Sequence, residues 1–220
     1  MNEDIQQQVA TAEGVYGNTL ENIGNKMSFR LAAQHALGGV GIALGDSGID
    51  NLPKKGPFLL ISNHPSYLDP LIAAATGIFE RRPDLIITTH LNAVNEKDFP
   101  GMHAILNNFW AVDADKDHPY LGAAVDDIEQ AIQDGAGLFE VPGIGLDHDA
   151  RYSPHDRAQI ITERAKKTES SIVSAHIKIR QNSNGEIYMA QIEIQKARDA
   201  TIDSVRAAIQ FAYPDLALAT

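Results

Sequence analysis

Apolar and polar positions divide the 220-residue chain into two halves of different rhythm. Residues 3 to 23 are polar, with apolar positions at Ile5, Val9, Ala12, Val15, Tyr16, Leu20 and Ile23. That spacing predicts a helix, weakened by Gly14 and Gly17. Residues 26 to 44 predict a second helix, loosened by Gly38, Gly39 and Gly41. From residue 58 short apolar runs take turns with helical patterns. Strands are predicted at Phe58–Ser62, Leu85–Thr89, Phe109–Asp113, Gly137–Val141, Ile172–Ile179 and Ile187–Ile194. Helices are predicted at Pro70–Phe79, Pro119–Gln133, from Pro154 with Ser153 as its cap, and at Ala200–Phe211. Such alternation gives an α/β fold: a mostly parallel twisted sheet flanked by helices. Asn182-Ser183-Asn184-Gly185 is a hairpin signal between the last two strands, so one antiparallel pair is expected. With no repeat, low-complexity tract or long linker, the expected organisation is an N-terminal helical extension (1–45) and one α/β domain (46–220).

Composition adds exclusions. Hydrophobic residues make up 44% and charged residues 21%, which is ordinary for a globular domain. With no cysteine there can be no disulfide, thiolate nucleophile or cysteine-ligated metal, and a reducing, cytoplasmic setting fits. Eighteen basic against 29 acidic residues leave a net charge of -11, so no nucleic-acid partner is expected. The basic groups Lys54–Lys55, Arg81–Arg82 and Arg164 with Lys166–Lys167 read as solvated faces. Met1-Asn2-Glu3-Asp4-Ile5-Gln6 lacks the basic start and apolar core of a secretory signal. The most apolar stretch, 31 to 45, falls short of the roughly 20 residues that a spanning helix needs. Within 26–44 an apolar stripe (Met27, Leu31, Leu37, Val40, Ile42, Leu44) runs beside Lys26 and Arg30. It suits either a helix packed on its own domain or a peripheral contact at the inner face of a membrane.

The candidate chemistry lies just past the first strand. Residues 58 to 71 read Phe-Leu-Leu-Ile-Ser-Asn-His-Pro-Ser-Tyr-Leu-Asp-Pro-Leu. His64 and Asp69 could form a general base and the carboxylate that orients it. Five residues along one helix is about 140° of rotation, the wrong face for contact. The pair can meet only if the chain turns, and Pro65 and Pro70 disfavour helix at the residues before them. The plain alternative is a loop histidine and an Asp-Pro helix start, with Asp69 as the N-cap. Asp147-His148-Asp149 with His155 lacks the spacing of a known metal site, so no metal is expected.

Together with its lead-in, Gly48 to Pro57, this block resembles the opening of the glycerolipid acyltransferase family, which includes lysophosphatidate acyltransferases. That family's first signature, Asn-His-x-x-x-x-Asp, is matched by Asn63, His64 and Asp69, with Ser66 between them. The resemblance implies transfer of a fatty acyl group from a thioester, acyl-CoA or acyl carrier protein, to a hydroxyl or amine of a lipid or other small acceptor. His64 would be the base and Asp69 its orienting partner. Backbone N–H groups near Val141–Ile144 would serve the developing oxyanion. It also implies substrate-binding positions at Asn63, Ser66, Lys116, Glu140, Pro142, Gly143 and Arg151.

Later blocks depart from the family pattern. Ala114 stands where an arginine is expected, with Lys116 two residues on, and lysine offers no bidentate fork for phosphate. The third block reads Leu138-Phe139-Glu140-Val141-Pro142-Gly143, its glutamate before the proline instead of after it, and Arg151 is the nearest downstream arginine. Ser171 to Ala175, the fourth block, has no proline. Two readings compete: an acyltransferase with an acceptor other than a simple glycerol phosphate, or an inactive lipid- or acyl-binding protein. A hydrolase is disfavoured, since the chain has no Gly-x-Ser-x-Gly elbow and no cysteine.

Overall fold

A computed structural model of the chain describes residues 6–12, 14–15, 29–45, 47–66, 68–89, 111–113, 128–140 and 154–215. Residues 6–12 and 14–15 are helical. Then come α1 (Phe29–Gly39), β1 (Ala43–Leu44), a 3₁₀ turn (Ile49–Asn51), β2 (Phe58–Ile61), α2 (Asp69–Thr76), α3 (Ile78–Arg81), β3 (Leu85–Thr89) and β4 (Ala111–Asp113). A helical stretch at 128–133 leads to β5 (Gly137–Glu140), α4 (Pro154–Lys167), β6 (Ser171–Gln181), β7 (Ile187–Ile194) and α5 (Ile202–Ala212).

The strands form one sheet in the order β1-β7-β6-β2-β5-β3-β4. β2 runs parallel to both neighbours: Phe58 to Ile61 face Gly137 to Glu140 on one side and Ser171 to Ser174 on the other. β3 pairs parallel with β5 and with β4. β6 and β7 form the expected antiparallel hairpin, and β1 adds parallel to β7. The fold is therefore α/β with a mostly parallel sheet, as the alternation predicts.

β2 is apolar throughout because both its faces are covered. Phe58 and Leu60 join a core with α1, α2 and Val9, while Leu59 and Ile61 join one with 128–133, α4 and α5. All four are fully buried. At about 1.5–3 kcal/mol for each such side chain, this strand is a main support of the sheet.

Three expectations and one alternative need correction. The helix expected over 26–44 ends at Gly39, because Gly41 turns the chain at a φ of 78° that other residues rarely adopt, and residues 43–44 become an edge strand. The helix expected over 70–79 breaks at Gly77, left-handed at a φ of 86°, where an added Cβ would also stand 3.3 Å from the Arg30 side chain. Asp69 is not the N-cap of α2; Leu68 is, and Asp69 opens the helix.

The fourth concerns Arg81 and Arg82, which are not a solvated pair. Arg82 is 1% exposed. Its Nε and Nη2 donate to Asp84 at 2.7 Å each, Nη1 donates to the carbonyls of Pro53 and Gly56, and Nη2 also donates to that of Gly135. All five guanidinium protons are thus used. The plane lies 4.4 Å from the Phe58 ring centre. Arg81 donates to the carbonyls of Leu52 and Asp50 and pairs with the Asp50 carboxylate.

Of the segment before residue 46, the described residues 29–45 pack into this domain. Ala32, Ala33, Ala36, Leu37 and Ile42 are buried, and Val40 and Leu44 are half-buried against the same core. Leu31 remains 53% exposed, and Met27 lies outside the described residues. Among the described residues no helix is long and apolar enough to cross a membrane.

Candidate active site

β2 ends at Ile61 on the sheet's carboxyl edge, the edge where parallel α/β sheets place their sites. The chain leaves the sheet at residues 62–66 and re-enters helix at Asp69. The turn is built from its own polar groups. The Ser66 carbonyl accepts from Asp69 N–H at 3.2 Å, and Ser66 Oγ accepts from Leu68 N–H at 2.9 Å. The result brings His64 Nδ1 to 2.6 Å from Asp69 Oδ2. Ser66 N–H donates to the same oxygen at 3.2 Å. The contact that a continuous helix would forbid is made by the turn between the two prolines.

The two side chains differ in exposure: the His64 ring is 27% exposed and the Asp69 side chain 7%. Burial pushes the Asp69 carboxyl above its ordinary value, outweighing the lowering effect of His64 and Ser66. Its Oδ1 is buried and, among the described residues, has no hydrogen-bond partner. Once Asp69 is ionised it can only accept, so the shared proton then belongs to His64 Nδ1 and the lone pair of the neutral ring sits on Nε2. That is the tautomer a general base needs, with the carboxylate placed to stabilise the imidazolium.

Asn63 and Ser66 are both buried, and their polar groups serve the loop. Asn63 Nδ2 donates to the Ile177 carbonyl at 2.9 Å, and its Oδ1 accepts from Ile177 N–H at 2.7 Å. Tyr213, just past α5, donates its hydroxyl to the Ser62 carbonyl at 3.4 Å. Neither Ile177 nor Tyr213 carries a sequence signal, since each is more than a hundred residues from the loop it touches.

Glu140 closes β5 directly beside Ile61, so the third block begins one strand from the dyad. Asp113 closes β4, three strands from β2, roughly 14 Å at ordinary strand spacing. Ala114, Lys116, Val141 to Ile144, Asp147 to Asp149 and Arg151 lie outside the described residues, as does the expected helix at 119–127.

A family model described as Acyltransferase matches residues 44–141. Over residues 44–141 the chain is similar to the acyltransferase family. No curated protein matches the sequence. The acyltransferase match runs from β1 to the end of β5 and contains the whole His64–Asp69 turn. It supports acyltransferase activity, with an acyl donor and an acceptor as substrates. α4, β6, β7 and α5 lie beyond the matched segment, yet β6 is the strand that Asn63 grips.

Proposed function

We propose that the protein moves a fatty acyl group from a thioester, acyl-CoA or acyl carrier protein, to a hydroxyl or amine of a lipid or other small acceptor. The observation that carries this reading is the 2.6 Å contact between His64 Nδ1 and Asp69 Oδ2 in a ring still open to solvent. His64 Nε2 takes the acceptor's proton as its oxygen or nitrogen attacks the thioester carbonyl carbon. Asp69 stabilises the imidazolium. The carbon–sulfur bond then breaks, the thiolate leaves and takes the proton from Nε2, and the products are an ester or amide and a free thiol. The nucleophile is the acceptor itself, so no serine or cysteine of the protein needs to attack.

The acceptor in this reading is not a simple glycerol phosphate, because Ala114 occupies the place where the family resemblance implies an arginine. The reaction belongs in the cytoplasm, with lipid acceptors met by peripheral contact; the absence of cysteine fits a reducing compartment. The test is incubation with a labelled long-chain acyl thioester and cell lipid extract. A labelled product formed by the native protein and lost in His64→Ala supports the reading. Absence of transfer, or transfer that survives the substitution, refutes it.

A further inference from the structure

β6 outruns β2. β2 stops at Ile61, opposite Ser174, while β6 continues to Gln181. On the side where β2 has ended, the backbone N–H and C=O of Ile177 have lost a strand partner. Buried backbone groups of this kind must be satisfied. The Asn63 amide does so, one oxygen accepting and one nitrogen donating, as a strand residue would. Asn63 is also the residue before His64. The ladder of β6 is thereby extended by a side chain, and the backbone that carries the base is locked in register with it.

From this we infer that Asn63 is a positioning residue: it fixes the His64 ring against Asp69 by fastening the loop to β6, and it does not bind substrate. The inference rests on the acyl-transfer reading for its kinetic consequence but not for its structural one. The alternative is that Asn63 contributes stability alone. A matched comparison exists in the same molecule. Asn51 Nδ2 donates to the Ile194 carbonyl of β7 at 2.7 Å, a similar amide-to-strand bond in the loop before β2.

The test follows the His64 ring by nitrogen-15 NMR and acyl transfer by kinetics in the full chain, for Asn63→Ala and for Asn51→Ala. Asn63→Asp, which keeps one of the two bonds, serves as the milder variant if alanine prevents folding. The expectation for Asn63→Ala is loss of the Nδ1–H signal bonded to Asp69 and a fall in kcat on the order of 100-fold, with KM changed less than about two-fold. Asn63→Asp should lie between it and the native protein. Asn51→Ala should keep both signal and kcat. An unaltered ring signal in the Asn63 variants, or the same loss in Asn51→Ala, overturns the inference. If the native protein transfers no acyl group, the acyl-transfer reading fails and the ring signal alone decides the role of Asn63.

Discussion

Gln8 clasps the backbone of Ile187, 179 positions away: its Nε2 donates to the Ile187 carbonyl at 2.6 Å and its Oε1 accepts from Ile187 N–H at 2.9 Å. Ile187 opens β7 before β1 begins to pair with it at Met189. A side-chain amide again continues a ladder where a strand is missing, as Asn63 does on β6. Gln8→Ala should therefore cost about 1–3 kcal/mol, the usual penalty for two backbone groups left without their partner in a half-buried place. Urea unfolding of the full chain checks this. A midpoint equal to the native one would mean that water replaces the amide without loss.

Asp69→Asn should separate stability from activity. Burial raises the Asp69 carboxyl pKa, so between its ordinary value and the raised one the folded state holds the extra proton. Folding stability contributed by this group falls as pH rises through that window. An asparagine bears no such penalty. Its NH₂ would face His64 Nδ1 and force the proton to Nε2, the wrong tautomer for a base. Thermal melts should show the variant gaining on the native protein as pH rises above about 4, the ordinary carboxyl value. Turnover should fall on the order of 10³- to 10⁴-fold, as when the aspartate of a serine-protease triad is replaced.

The elements set by local pattern are the ones legible in the sequence. Phe58–Ile61 reads as a strand because both faces are buried, and Asn182–Gly185 as a turn because its residue types suit one. The His64–Asp69 contact is legible for a related reason: two prolines exclude the helix that would part them. What escapes is set by distant partners. Arg82 looks like a surface charge, and only the folded chain brings the carbonyls of Pro53, Gly56 and Gly135 around it. Asn63 and Gln8 look like ordinary polar residues, since their role depends on where another strand stops.

Arg82→Ala should destabilise by about 3 kcal/mol or more, because it leaves three carbonyls and the Asp84 carboxylate without their donor. Asp84→Asn should cost less, since that side chain is 44% exposed. The Arg82 hydrogen bonds hold the Asp84 carboxyl below its ordinary value. Its contribution is thus present above about pH 4 and is lost as pH falls through the lowered value. Denaturant titrations at pH 7 and pH 3 should show the gap between native and Asp84→Asn closing in acid.

Gly137→Ala should be harsher than a glycine-to-alanine change usually is. The added Cβ would stand 2.2 Å from the Phe58 ring, which lies under the Arg82 guanidinium. Overpacking of this kind costs about 1–3 kcal/mol. Phe58→Leu should recover part of the loss, and a double-mutant cycle of melting temperatures measures it. Strictly additive effects would show that the ring is not the obstacle.

Ala114→Arg tests the acceptor. If the missing arginine limits phosphate recognition, the variant should use lysophosphatidate roughly ten- to hundred-fold better than the native protein, the worth of one charge-assisted fork. Acylation assays with matched phosphate and non-phosphate acceptors measure the ratio. A native protein that already turns over lysophosphatidate efficiently, and still does so with alanine at Lys116 and at Arg151, would refute this account of the second and third blocks.

The grip of Asn63 on Ile177 spans 114 residues, and that separation has a consequence during synthesis. A ribosome adding about 5–20 residues per second needs roughly 6 to 23 seconds to pass from one to the other. Through that interval the histidine and the aspartate are both made, but the strand that fixes their loop is not. The nascent chain therefore carries the His64–Asp69 pair well before it has the strand that holds their loop, and the loop can be fastened only once β6 has been made.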